Sequence, residues 1–313
     1  MRDFLIKVLG WRGENGITIE LFSIWHFLYI FLIIGAIVGA IFLLKTKSQK
    51  TKQKTLKILI ITTLVLYIVD FMLQPFVTRD NTLDIDKLPF HICTLMSIVG
   101  TLAQYSKNQN FKEVSVTMAM AGALMYLTYP GSALGGIAPW SYKVIQTMVC
   151  HGMLLAWGVL SLTTGEVKLN YRKMWMPLVG VVCLALWAGL GNLCYNGGTH
   201  HYDWFFITGS TFPFIPKYLM PFLAVAAVYG VIACFYLIYW IVEKIREKKR
   251  NKLLKQEETA VNVDSEKTNK QDALDENVKK DEHANWFFKR KVYIYVEKNI
   301  KNIPIEVCFF LFQ

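Results

Sequence analysis

From Leu21 to Leu44 the chain carries no Lys, Arg, Asp or Glu. As a helix rising 1.5 Å per residue, that stretch is about 36 Å long, more than the ~30 Å hydrocarbon core of a bilayer. A segment so long and so apolar has one stable solution, a membrane-spanning helix that satisfies its own backbone polar groups. It starts too late and is too long for the apolar region of a cleaved signal peptide. Lys45, Lys47 and Lys50 follow it as a stop-transfer flank.

Six more segments qualify as spans, at roughly 57–76, 88–105, 113–131, 143–163, 174–195 and 218–242. The fourth segment, 113–131, is the least apolar, being rich in Thr, Ser, Met and Gly. The sequence therefore predicts an all-α, polytopic bundle of seven transmembrane helices in a cell membrane. Composition agrees: 54% of residues are hydrophobic and 18% charged, against about 25% charged in soluble domains. Disorder as the main state, a disulfide scaffold and an ordinary soluble enzyme are excluded.

The net charge of +11 does not point to nucleic acid, because the basic residues fall where membrane topology puts them. The loops after the first, third and fifth spans carry 11 Lys/Arg and the alternate loops 4. By the positive-inside rule the first set is cytoplasmic, the N-terminus external and the C-terminus cytoplasmic. Residues 1–20 read as an external or interfacial segment, with Phe4, Leu5, Val8 and Leu9 on one helical face. Residues 21–242 form the transmembrane domain. The charged tail 243–313 reads as mostly disordered, with an aromatic, apolar end from Trp286 onward.

Counting inward from the outer ends of these spans brings several polar residues to one depth. His26, Asp70, Gln74, His91, Cys93, Gln146, His151 and Asn192 all fall within roughly 12 Å of the outer boundary. Asp70 is the single acid well inside a span, with Gln74 one turn away on the same face. Ionisable groups at such depth normally face the bundle interior with a partner. Several at one level predict a shared polar pocket near the outer leaflet. The plainer readings are that histidines near helix ends sit at headgroup level, and that Asp70 and Gln74 tie helices together.

The sharpest local sequence is Leu88-Pro89-Phe90-His91-Ile92-Cys93. Proline suits the first helical position, which puts Cys93 in the second turn, near the positive end of the helix dipole. His91 is about 200° around the helix from Cys93, so a base for the thiol must come from another helix. His151 lies at similar depth. Buried cysteines are usually packing residues, and the other five show no spacing pattern for zinc or a disulfide framework. A Cys93–Cys194 bridge stays open.

The Leu-Pro-Phe-His-Ile-Cys stretch, followed by His151 in Val149-Cys150-His151-Gly152, resembles the YwaF-like bacterial integral membrane proteins. These are similar to a vertebrate transmembrane family of cysteine-dependent phospholipid acyltransferases. The resemblance covers about residues 20–242 and implies that Cys93 accepts the acyl group and His151 supports it. Gly191-Asn192 and the loop with His200, His201, Tyr202 and Asp203 are similar in character.

The implied reaction is an acyl transfer between lipids through a cysteine thioester, acting on phospholipid or lysophospholipid without a cofactor. Phospholipid ester carbonyls sit just below the headgroups, at the depth of the polar layer. On this reading Asp70 orients His151 as the third member of a triad does, and Asn192 or Gln146 donates to the oxyanion. His26, His91 and Gln74 are supporting residues, and none is assigned to a metal. Two alternatives remain at this level: a zinc-dependent lipid hydrolase, weakened by the lack of a helical His-x3-His pair, and a non-enzymatic transporter or sensor built on Asp70 and His151. Oligomeric state is not legible.

Overall fold

The computed structural model describes residues 19–77, 85–129, 138–195, 202–207 and 215–272. The interfacial segment expected before residue 19, His200, His201 and the apolar end after residue 272 lie outside the described residues. Among the described residues the protein is helical, with no strand. Seven helices form: α1 Ile24–Lys45, α2 Gln49–Val77, α3 Ile92–Tyr105, α4 Gln109–Thr128, α5 Tyr142–Thr163, α6 Trp175–Tyr195 and α7 Met220–Asp272. The chain divides into two compact units, 1–236 and 237–313.

Each helix falls on an expected apolar segment, and among the described residues five are long and apolar enough to cross a membrane: α1, α2, α5, α6 and α7. Helix α3 has 14 residues, about 21 Å. Helix α4 is long enough but not apolar enough, and its burial explains why. It packs against α3, α5 and α6, so it meets protein rather than lipid on most sides. Ala119, Ala121, Gly122 and Ala123 are buried in it, and small residues of this kind let neighbouring helices approach closely.

Contacts fix which helix ends share a level. At one end, the start of α1 meets the end of α4, where the His26 ring bonds the Leu127 carbonyl at 2.8 Å. The residues preceding α3 meet the end of α6, where the Trp187 indole N–H donates to the Pro89 carbonyl at 2.8 Å. At the other end lies a charged network. Lys112 pairs with Glu166, Lys173 donates to Asn110 at 2.7 Å, and buried Glu113 accepts from the Tyr236 hydroxyl at 2.7 Å and the Asn170 N–H at 2.8 Å. Glu113 is thus a second buried acid, at the start of a helix rather than well inside a span.

Two boundaries differ from the sequence expectation. Helix α3 begins at Ile92, not at Pro89, because Leu88–Phe90 form a turn in which the Phe90 N–H donates to the Leu88 carbonyl at 2.7 Å. Cys93 therefore lies in the first turn of the helix rather than the second. Helix α7 continues to Asp272 through the charged stretch after residue 247. That stretch is exposed through Gln256 and buries no core there, but Lys, Glu, Gln and Leu are good helix formers. Lys244–Glu247 and Arg246–Glu243 pairs one turn apart support it.

Candidate functional site

The turn before α3 is held from three sides. Phe90 stacks on Trp187 with centroids 5.1 Å apart and meets Trp204 in a tilted contact at 4.7 Å. Gly191 makes room for it, since a Cβ there would lie 2.6 Å from the Phe90 ring. Trp187 grips the Pro89 carbonyl. The Thr94 hydroxyl bonds the His91 carbonyl at 3.0 Å. The first turn of α3, and Cys93 with it, is fixed by a packed aromatic cluster rather than by a cap: His91, at the N-cap position, makes no side-chain capping bond.

Cys93 packs against α4 at Gly122, where an added Cβ would sit 3.3 Å from its Sγ. One turn along α4 from Gly122 is Tyr126. The Tyr126 ring stacks on the His151 imidazole with centroids 3.8 Å apart and planes 13° apart. Cys93 against Gly122 and His151 against Tyr126 thus form a cluster on neighbouring turns of one face of α4.

The imidazole of His151 has a fixed proton position. Its Nδ1 lies 2.7 Å from the Thr147 carbonyl oxygen, one turn back. A carbonyl only accepts, so Nδ1 carries the hydrogen and Nε2 presents a lone pair. That is the form a general base needs.

Other expected residues go elsewhere. The Asp70 carboxylate pairs with the Lys87 ammonium and not with His151, whose Nδ1 is already taken. Gln146 donates to the Cys150 sulfur at 3.3 Å. Asn192 holds the backbone of Trp204, donating to its carbonyl at 3.2 Å and accepting its N–H at 2.9 Å. It clamps the segment 204–206, in which Phe205 and Phe206 have φ of 62° and 55°, a region non-glycine residues rarely occupy. His26 is buried and fully engaged, its Nδ1 accepting from the Phe22 N–H at 3.2 Å while Nε2 bonds Leu127. It joins α1 to α4. The side chain of Gln74 lies outside the described residues.

Cys93, Cys150, Cys183, Cys194 and Cys234 are free thiols, which leaves no Cys93–Cys194 bridge. No three His, Cys, Asp or Glu side chains gather as a metal site among the described residues.

A family model for the TMEM164 family matches residues 21–239, which is most of the chain and all seven helix starts. The chain belongs to the TMEM164 family. With several apolar helices long enough to cross a bilayer, this family member is a multi-pass membrane protein. No curated protein and no solved structure matches it. The match stops just short of the basic run that opens at Lys244.

Two residues escaped the sequence reading. Tyr126 sits in an apolar run, where an aromatic reads as core. Its hydroxyl oxygen is buried with no hydrogen-bond partner among the described residues, an arrangement that costs about 1–3 kcal/mol. Lys87 reads as a loop lysine, yet it is the partner of Asp70. Its position was the available signal, since a lysine directly before the apolar run at 88–105 can reach into it.

Proposed function

We propose that the protein is a membrane-embedded acyltransferase that moves a fatty acyl chain between phospholipid and lysophospholipid through a thioester on Cys93. His151 Nε2 takes the thiol proton. The thiolate sulfur bonds the ester carbonyl carbon, the tetrahedral intermediate collapses, and the leaving lysophospholipid oxygen takes the proton from His151. A second lysophospholipid reverses these steps and leaves with the acyl group. Membership in a membrane family and the resemblance at Leu88–Cys93 and His151 support this reading. The observation that carries it is the Cys93–Tyr126–His151 cluster, with the imidazole held by Thr147 as the base tautomer.

On the same reading all seven helices traverse the bilayer, the N-terminus is external, the C-terminus cytoplasmic, and the Cys93 end faces the outer leaflet. The short α3 and the less apolar α4 are accommodated because other helices surround them. Asp70 contributes by pairing with Lys87 beside the turn that carries Cys93, not as a triad member.

The test is intact-protein mass spectrometry after incubation with phospholipid. A hydroxylamine-sensitive acyl adduct is expected on the wild type and absent from Cys93→Ser. His151→Ala should slow its formation by about 10²–10⁴-fold. An adduct that survives Cys93→Ser, or no adduct with any of several ester donors, refutes the thioester.

A further inference from the structure

We infer that Tyr126 is a catalytic residue, its hydroxyl donating a hydrogen bond to the oxyanion that forms when Cys93 attacks an ester carbonyl. The inference rests on the acyl-transfer reading and supplies what that reading lacks, because the amides expected to do this are committed elsewhere. Asn192 holds Trp204 at 2.9 and 3.2 Å, and Gln146 faces Cys150 at 3.3 Å.

Four observations converge on Tyr126. Its hydroxyl oxygen is buried and unpaired among the described residues, although buried hydroxyls are normally satisfied. A buried donor left unpaired on the helix face that Cys93 packs against is available to a substrate oxygen. Second, the ring lies parallel to the His151 imidazole at 3.8 Å, which holds the hydroxyl in one place before the reaction starts. Preorganised donors of this kind act at little reorganisation cost in a dry site. Third, Tyr126 follows Gly122 by one turn, and Gly122 is where Cys93 Sγ touches α4, so nucleophile and hydroxyl share one face of that helix. Fourth, no side chain caps the start of α3. The N–H groups of its first turn, including that of Cys93, point to the same positive end and add to the field around a developing negative oxygen.

The step balances. The sulfur lone pair forms the S–C bond, the carbonyl π pair moves onto oxygen, and the Tyr126 O–H donates to that oxygen without transferring its proton. When the pair returns, the ester C–O bond breaks and the leaving oxygen takes the proton held by His151. Tyr126 ends as it began.

The test compares two reactions of Cys93 in the full-length protein in detergent, with peptide mapping to that residue. One is single-turnover acylation by a short-chain phosphatidylcholine, which passes through an oxyanion. The other is alkylation by iodoacetamide, a displacement at a saturated carbon with no oxyanion. Tyr126→Phe keeps the ring stacked on His151 and removes only the hydroxyl. It should slow acylation by about 10²–10³-fold and leave alkylation within about twofold of the wild-type rate. Unchanged acylation overturns the inference. So does an equal fall in both reactions, which would make Tyr126 a support for the thiolate or the fold. Wild-type protein whose Cys93 alkylates but takes no acyl group from any ester donor sinks the acyl-transfer reading itself, and Tyr126's role with it.

Discussion

Replacing Gly122 by alanine separates the geometry of the cluster from the stability of the bundle. A Cβ at position 122 would lie 2.6 Å from Ile92 Cγ2, 3.1 Å from Ile92 Cγ1 and 3.3 Å from Cys93 Sγ. Ordinary carbon contacts need about 3.5–4.0 Å, so the first turn of α3 must retreat by about 1 Å. Ile92 cannot relieve the clash by turning, because a β-branched side chain in a helix has one strongly preferred rotamer. The backbone moves instead, and Cys93 is the next residue. Overpacking costs about 1–3 kcal/mol, while Gly→Ala in a helix returns about 0.8–1.0 kcal/mol. The net loss of stability is about 0–2 kcal/mol, small enough to leave a folded protein. Activity should suffer far more, since a misplacement of about 1 Å can cost about 10²-fold. The assay is transfer of a labelled acyl chain between phospholipid and lysophospholipid in liposomes, paired with thermal unfolding in detergent. Gly230→Ala is the control, because nothing lies within 4 Å of its added Cβ. Gly122→Ala protein that is folded and transfers acyl chains within twofold of wild type would refute the argument that α4 positions the nucleophile.

The remaining predictions concern the supports around the cluster and the topology. Asp70→Asn removes the carboxylate facing Lys87 and should destabilise the protein by about 3–5 kcal/mol, read as a lower midpoint in thermal unfolding; an unchanged midpoint would mean that this pair ties nothing together. Asn192→Leu loses both bonds to the Trp204 backbone and should cost about 1–3 kcal/mol, with faster proteolysis near residues 202–207; resistance equal to wild type would argue against the clamp. Glu113→Gln, at the far end of the bundle, should lower stability while leaving Cys93 acylation unchanged in rate, and a selective loss of acylation would contradict the separation of the two ends. An impermeant thiol reagent applied from outside should reach a cysteine introduced at position 82 and not one at 50. The reverse pattern would invert the proposed orientation.

The positions of the helices were readable because hydropathy along one chain reports burial in lipid directly. The expected 143–163 and 174–195 meet helices at Tyr142–Thr163 and Trp175–Tyr195. Boundaries slipped where local geometry competes with hydropathy. Pro89 signals a helix start, yet the chain makes a turn first because Phe90 must reach the pocket opened by Gly191. The site was legible in part. Cys93 and His151 stood out as residue types uncommon at that depth, and both lie against α4, at Gly122 and Tyr126. Their link through Tyr126 was not legible, because a tyrosine in an apolar run carries no periodic signal distinguishing a stacked ring from a core one. Asp70 was misassigned for a related reason. Depth alone made His151 its neighbour, whereas a flexible lysine outside the span is the better-matched charge.

The central place of α4 has a consequence for how the chain enters the membrane. Lys112, Glu113, Ser115 and Thr117 are buried at its start, and those groups are satisfied by Glu166, Asn170, Tyr236 and the helix's own carbonyls. Every one of the partners outside α4 is synthesised after it. While the ribosome is still working on α5, the fourth helix has neither the apolarity to partition into lipid alone nor the neighbours that would make its polar groups welcome there. On the proposed seven-span topology its stable integration waits for α5, α6 and the first half of α7. The bundle is therefore completed from its periphery inward, and a chain cut before Glu166 should leave its middle helix at the translocon rather than in the bilayer.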